Sequence, residues 1–238
     1  QLLNDIKMLE ITLARDGAKG VPQKNIKDLC GRPLISYTLK EAQKSAYIDK
    51  YIVSTDCEEI GKVAEEEGAE VPFLRPSKFS GDSATSASAL VHAVEFLQQQ
   101  GESYDYVVEL MATNPLKNVQ DIDGCIENAL LNDHDCCVAV HRIWDQHPSR
   151  VKKIVDGVLI DFFPEIPESR RQDLDPPAYI RSGSIYVTKI DFLLEHNSRY
   201  GSNITASYIL PEERVINIDE LDDFILAEIK LGEKNDET

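Results

Sequence analysis

Short apolar runs alternate with stretches of helical period through the first 140 residues, the pattern of βαβ units around a parallel sheet. Met8–Leu13 predicts a buried first strand, followed by a long polar loop over residues 15–27. Residues 33–45 predict a helix, with Pro33 in its first turn and an apolar stripe from Leu34 to Ala42. Residues 51–56 predict a second strand that ends in polar residues. A helix over residues 58–67 stops at Gly68, and residues 71–74 form a short extended piece. Residues 85–99 then predict an amphipathic helix, Tyr106–Leu110 a strand, Val119–Leu131 a helix and residues 136–140 another strand. Beyond Val140 the pattern changes. Residues 151–154, 158–163 and 184–188 predict antiparallel strands joined by Pro-rich stretches, and residues 220–231 a last helix.

This order predicts an α/β fold with a mostly parallel sheet, whose ligands would bind at the carboxyl ends of the strands. No repeat or clean linker divides the 238 residues. Residues 1–6 read as a chain edge or as a linker from a preceding domain, and no apolar run approaches the length of a membrane span.

The formal net charge of −17 opposes a nucleic-acid partner, because such binding needs Lys and Arg to neutralise phosphates. The charge is uneven, however: residues 1–50 carry nine Lys or Arg against six acids, while residues 208–238 carry ten acids against three bases. A positive patch inside a negative protein suits a small anion, although both ends could also be merely solvated. Five cysteines, odd in number and without a CxxC, predict reduced thiols and a cytoplasmic protein rather than a disulfide framework or zinc site. His92 reads as structural, and Cys136-Cys137 as core filling.

The loop after the first strand holds Arg15, Lys19 and Lys24 within ten residues. Gly17 and Gly20 leave its backbone free to turn N–H groups toward a polyphosphate. It is neither GxxxxGK[ST] nor GxGxxG, so the common NTPase and dinucleotide readings fail, and a solvated basic loop remains the plain alternative. A second constellation is Val215-Ile216-Asn217-Ile218-Asp219, where strand-like alternation would turn Asn217 and Asp219 to one face. Two oxygen ligands so spaced could share a Mg²⁺, or Asp219 could cap the helix that follows with Asp222 in a capping-box-like place.

Arg15-x-x-x-Lys19-Gly20-x-x-x-Lys24-Asn25 resembles the signature of the acylneuraminate cytidylyltransferases, the CMP-sialic acid synthetases. Further segments match in the same order: Val53-Ser54-Thr55-Asp56, Leu74-Arg75-Pro76, residues 82–86, residues 110–116, His147-Pro148, Arg171-Gln172-Asp173, Gly183-Ser184-Ile185-Tyr186 and residues 216–222. The likeness runs from about residue 8 to residue 230. It implies a Rossmann-like nucleotidyltransferase sheet flanked by helices over residues 7–238. Residues 141–182 would be an inserted antiparallel dimerisation arm, giving a homodimer.

The resemblance also implies a reaction, in which CTP and a nine-carbon 2-keto acid sugar yield a CMP-sugar and pyrophosphate with Mg²⁺ as cofactor. Arg15, Lys19 and Lys24 would hold the triphosphate, Asn25 the cytosine, and Arg75 and Ser86 would complete the pyrimidine pocket. Asp219 and Asn217 would hold the metal, with Arg15, Lys24 and Asp219 carrying the catalysis. Met111, His147, Arg171 and Gln172 would meet the sugar, Arg171 by gripping its carboxylate through two parallel N–H···O bonds. Each has a plain alternative: Arg75 as a surface residue before a turn, Ser86 as a helix cap, Arg171 as an exposed loop residue. The chain departs from the family pattern at Ala18, which replaces a Ser, at Met111, which replaces an amide, and at Asn217, which replaces an Asp. Losing the amide at Met111 favours a legionaminic-like or pseudaminic-like acid over sialic acid. An eight-carbon keto acid, or a nucleotide-binding domain without catalysis, stays open.

Overall fold

The structure, a computed structural model, describes residues 5–17, 20–131, 133–201 and 203–236. A mixed six-stranded sheet runs through the middle in the order β10-β6-β9-β5-β1-β4. Strand β1 (Met8–Leu13) lies parallel to β4 (Lys50–Ser54) and to β5 (Tyr106–Leu110), with Ile11 opposite both Ile52 and Glu109. Strand β6 (Cys136–Ile143) pairs in parallel with β10 (Thr205–Ile209). The long β9 (Ala178–Lys189) is antiparallel to β5 and β6 and joins the two halves. The short pair β2 (Asp28–Leu29) and β3 (Arg32–Pro33) leads into α1.

The central strands are buried on both faces, as parallel strands with helices on either side must be. Successive residues point to opposite faces, so each strand feeds two cores. Met8, Val53, Val108 and Leu110 pack with α1 (Leu34–Ala42), α2 (Glu58–Glu66) and α4 (Val119–Leu131). Leu9, Ile11, Ile52 and Val107 pack with α3 (Ser86–Gln99) and α5 (Ile190–His196). At roughly 1.5–3 kcal/mol for each large side chain buried, these two layers supply most of the stabilising free energy. A third cluster joins Val21 of the first loop, Leu29, Leu34 and Leu116 to Ile216, Ile218 and Phe224 near the C-terminus. It draws α6 (Leu221–Asp236) under the loop that follows β1.

Several expectations are corrected in detail. Pro33 stands outside α1, because its carbonyl side is extended and pairs with Asp28 in the small hairpin. Residues 71–74 make no strand but a single isolated bridge, Leu74 to Thr55, with Glu70 just before them bridging Ile52. Residues 184–188 are antiparallel as expected, but they are the end of a longer strand, the twelve-residue β9 of the main sheet. Residues 215–219 form no ladder, and their tie to the sheet end is a bond from Ile218 N–H to the Thr113 carbonyl at 2.9 Å. The alternation still holds, with Ile216 and Ile218 buried and Asn217 and Asp219 exposed.

Beyond β6 the chain leaves the sheet for a hairpin of β7 (Lys152–Val155) and β8 (Val158–Asp161), which packs in neither main core. Among the described residues, no helix is long and apolar enough to cross a membrane.

Candidate active site

The ends of β1 and β5 open onto a cavity of about 260 Å³. Five of the residues singled out in the sequence line it together: Arg15, Asn25, Arg75, Ser86 and Met111. They come from four separate segments, brought together because the first loop, the turn after Arg75, the start of α3 and the end of β5 all leave the same edge of the sheet.

Arg75 is only 5% exposed, so it is no surface residue before a turn. Its backbone N–H donates to the Thr55 carbonyl at 2.7 Å, and its Nε donates to Ser80 Oγ at 3.1 Å. Burial pulls the guanidinium below its ordinary pKa, with Arg15 acting the same way and Asp56 and Glu109 opposing it. A cation so confined is poorly hydrated, which raises its attraction for an anionic or acceptor-rich ligand.

Arg15 reaches toward the Ser80 carbonyl and the Asp82 carboxylate, both at 3.4 Å. These contacts are long and partly exposed, so a phosphate could displace them at little cost. Asn25 is buried and donates to the Arg15 carbonyl at 3.0 Å, which fixes the loop around both side chains. Thr85 caps α3 by accepting the Ser88 N–H at 3.1 Å. Ser86 is thereby released from the capping role and stands at the cavity wall.

Lys24 is turned to the other side of the same loop. Its ammonium donates to the Ile218 carbonyl at 3.0 Å and lies 3.7 Å from Asp219 Oδ1. Asn217 Nδ2 donates to Asp219 Oδ2 at 2.6 Å, with the assignment of its amide nitrogen and oxygen resting on this network. Asp219 therefore sits at the rim, next to the loop and 65% exposed. The helix cap is Asp223, whose Oδ2 accepts the N–H groups of both Asp219 and Glu220 at 2.8 Å; the carboxylates of Asp219 and Asp222 are not needed for it. Lys19 and Ala18 lie outside the described residues.

The three residues expected on the sugar side beyond Met111 lie elsewhere. His147 is 1% exposed and spends both ring nitrogens on the protein. Its Nδ1 accepts the Ser149 N–H at 3.2 Å, and Nε2 meets the Pro176 carbonyl at 2.8 Å, so it clamps the loop around residue 176. Arg171 is exposed, donates to Asp145 at 3.3 Å, and holds its guanidinium 5.2 Å from the Trp144 ring centre. Gln172 is exposed beside it. Neither lines the cavity of its own chain.

Sequence reasoning overlooked two buried charges near this site. Glu109 lines the cavity and pairs with Arg199. Lys117, 1% exposed, donates to Thr38 Oγ1 and the Met111 carbonyl at 2.6 Å and to the Asn114 carbonyl at 2.8 Å. It thus braces the segment that forms one cavity wall. A lone charge inside an apolar strand run, as in Tyr-Val-Val-Glu-Leu, is the signal that marks Glu109.

A family model described as cytidylyltransferase matches residues 9–160. The chain is 34% identical over 226 residues to a pseudaminic acid cytidylyltransferase of Campylobacter jejuni, covering 94% of this chain and 96% of that one. It is 33% identical over 242 residues to a CMP-N,N'-diacetyllegionaminic acid synthase of Legionella pneumophila, covering 98% and 99%. An N-acylneuraminate cytidylyltransferase of Streptococcus agalactiae serotype V is 33% identical over 223 residues, with 92% of this chain and 52% of that one covered. Among solved structures, a CMP:2-keto-3-deoxy-manno-octonic acid synthetase complexed with CTP superimposes with a TM-score of 0.69 at 17% identity, over 97% and 99% of the two chains. At that identity the likeness is one of fold.

Proposed function

The chain belongs to the cytidylyltransferase family, and from that premise we propose that it makes a CMP-activated nonulosonic acid from CTP and the free 2-keto acid sugar. The 2-hydroxyl of the sugar attacks the α-phosphorus of CTP and gives up its proton to solvent; a new P–O bond forms as the bond from the α-phosphorus to the bridging oxygen breaks, and pyrophosphate leaves with that oxygen. The observation that carries this reading is the convergence of Arg15, Asn25, Arg75, Ser86 and Met111 on one cavity at the strand ends.

The roles follow from position. Arg75, Asn25 and Ser86 take the pyrimidine in the buried part of the cavity. Arg15 neutralises the triphosphate from the cavity wall and Lys24 from the other side of the loop, beside Asp219, while Lys19 takes its part from the sequence pattern alone. In such transfers the protein mainly positions the reactants and stabilises charge, so a fixed array of cations is the chief requirement.

The rim would suit a Mg²⁺. Asp219 is exposed there, and the amide of Asn217 lies beside it, a donor set of one carboxylate and one neutral oxygen. Asp219, helped by Asn217, would hold the ion, and the ion would supply additional positive charge at the phosphates.

The same reading makes the protein a homodimer, with the arm of residues 141–182 reaching toward the partner. Support comes from the β7–β8 hairpin, where Ile154, Val158 and Leu159 are all largely exposed. Arg171, remote from its own cavity, would then serve the partner's sugar. Five free cysteines accord with a reaction in the cytoplasm.

Mass spectrometry of products from CTP mixed with N-acylneuraminic, N,N'-diacetyllegionaminic, pseudaminic and 2-keto-3-deoxy-manno-octonic acids tests the proposal. A CMP adduct of one of the nine-carbon acids is expected. Pyrophosphate release with the octonic acid alone would replace the substrate, and none with any acid would leave a nucleotide-binding domain without this chemistry.

A further inference from the structure

The floor of the cavity holds a charge that neither the triphosphate nor the metal employs. Glu109, on β5, is 2% exposed and lines the cavity. Its Oε2 accepts a hydrogen bond from an Arg199 guanidinium nitrogen at 2.7 Å. Arg199 follows α5 and is itself locked, its guanidinium 3.9 Å from the centre of the Tyr186 ring. Tyr186 in turn accepts from Arg181 at 3.5 Å, and Arg181 stacks on Tyr200 at 4.4 Å. Burial pushes the Glu109 carboxyl up, while the neighbouring cations Arg199 and Arg75 pull it back toward the ionised form.

Stability does not explain this pair. The flanking residues Val107, Val108 and Leu110 are apolar and fully packed, and apolar replacements of a buried ion pair are commonly neutral or stabilising. The pair does, however, border a ligand cavity, and one carboxylate oxygen has no hydrogen-bond donor among the described residues. An ionised carboxylate is an acceptor only, so it attracts an O–H or N–H and repels a phosphate. Glu109 also stands near the C-terminal end of β5, two residues before Met111, and lines the cavity together with it.

We infer that Glu109, held in place by Arg199, is a specificity-determining residue that accepts a hydrogen bond from a neutral O–H or N–H group of the acid sugar. Glu109 touches substrate, and Arg199 is the positioning residue behind it. The inference rests on the cytidylyl transfer proposed above and refines its acceptor.

The test uses the full chain and two variants. Glu109→Leu combined with Arg199→Leu removes both charges without stranding either, and Glu109→Gln keeps an acceptor oxygen. CTP affinity is measured by calorimetry, and kcat and KM by pyrophosphate release with the same four acid sugars. In the double variant, KM for the preferred sugar rises at least about tenfold and the ranking of the four sugars changes, while the CTP Kd stays within about threefold. Glu109→Gln falls between wild type and double variant, and it decides the matter if the double variant does not fold. Unchanged sugar KM and ranking overturn the inference, as does a CTP Kd that rises by the same factor, which would place Glu109 at the nucleotide. Absence of pyrophosphate from wild type with every sugar overturns the reaction and the inference together, and it is seen before any variant is made.

Discussion

Gly20 and Asp219 meet backbone to backbone, so closely that a Cβ on Gly20 would stand 2.5 Å from the Asp219 carbonyl oxygen. This contact joins the basic loop to the segment proposed to hold the metal, and Lys24 reinforces it by donating to the adjacent Ile218 carbonyl. The obstacle is main chain rather than the end of a flexible side chain, so the loop itself must move to admit a methyl group. Gly20→Ala should therefore lower kcat/KM for CTP by about ten- to a hundredfold, as misplacement on the scale of 1 Å does in other enzymes. Thermal unfolding should also move to lower temperature, because Val21, the next residue of the loop, is packed in the third cluster with Ile216 and Ile218. Steady-state kinetics beside calorimetric melting checks both halves.

Asp219 and Asp223 divide two tasks that the sequence had left on one residue. Asp219 is exposed and caps nothing, so Asp219→Ala should reduce turnover by about a hundredfold or more and leave stability within about 0.5 kcal/mol of wild type. Asp223 accepts two backbone N–H groups at the start of α6, so Asp223→Ala should cost about 1 kcal/mol of stability and much less turnover. Measuring Tm and pyrophosphate release for both variants separates the roles. Near-normal turnover in Asp219→Ala would remove that carboxylate from the reaction.

The parts of this fold that were legible in the sequence are those with a strong period. β1, β5 and α4 run over the expected residues, because each is an apolar run or stripe bounded by polar residues. β10 was missed, since Thr-Ala-Ser-Tyr-Ile on a sheet edge carries little apolar signal. The cavity residues were legible by their spacing in the loop and their likeness to a known pattern. Arg171 and His147 matched the same pattern, yet one is exposed on the arm and the other is consumed in a clamp, because a motif records residue type and not the direction of a side chain. Glu109 carried a signal, a lone charge in an apolar strand, but its partner Arg199 is 90 residues away in the chain, as Thr38 is 79 residues from Lys117, so neither pairing could be read from spacing.

Glu10 gives the fold a pH dependence of its own. It is fully buried in β1, and neither carboxylate oxygen has a hydrogen-bond partner. Burial pushes its pKa well above the ordinary value, and the Asp123 carboxylate on α4 adds to the shift. The unfolded chain loses this proton near pH 4.3, the folded chain only at higher pH. Between those values the native state binds the extra proton, so stability falls as pH rises. Glu10→Leu should raise stability by about 1–3 kcal/mol near neutrality, by removing a buried unpaired polar group. The gain should be larger at pH 8 than at pH 5, as measured by calorimetric Tm at each pH. An equal gain at both would mean that Glu10 is protonated to the same extent in the folded and the unfolded chain over this range.

Lys117 braces the cavity wall from behind. Burial pulls its ammonium down to about 7, against the opposing pull of Asp121 and Glu41. Its three acceptors on α1 and the segment after β5 match the three donors of a charged ammonium. Lys117→Met keeps the length of the side chain but leaves those oxygens without a donor, which should cost about 2–4 kcal/mol. The Tm should fall by about 5–15 °C. Because the Met111 carbonyl is one of the three, the sugar KM should rise along with the loss of stability, and assays well below the new Tm would show it.

The hairpin of β7 and β8 supplies the last prediction. Ile154 is 74% exposed and pairs across the hairpin with Leu159 at 66%, and Val158 is exposed next to them. A two-stranded hairpin is marginally stable alone, and a patch of this kind on a surface otherwise rich in charge marks a contact with another protein. A second copy of the chain is the occupant proposed here, since the arm carries Arg171 away from its own cavity. Replacing Ile154→Asp and Leu159→Lys together keeps an attractive cross-strand pair, so the hairpin should persist while the apolar patch disappears. Light scattering at micromolar concentration should give twice the chain mass for wild type and the chain mass for the variant. If Arg171 serves the partner's cavity, the variant should bind CTP as wild type does but release pyrophosphate at least about tenfold more slowly, because only the sugar loses a contact. A wild-type monomer would end the dimer proposal. A dimeric variant would move the interface off the hairpin, and a monomeric variant with full turnover would return sugar binding to residues of one chain.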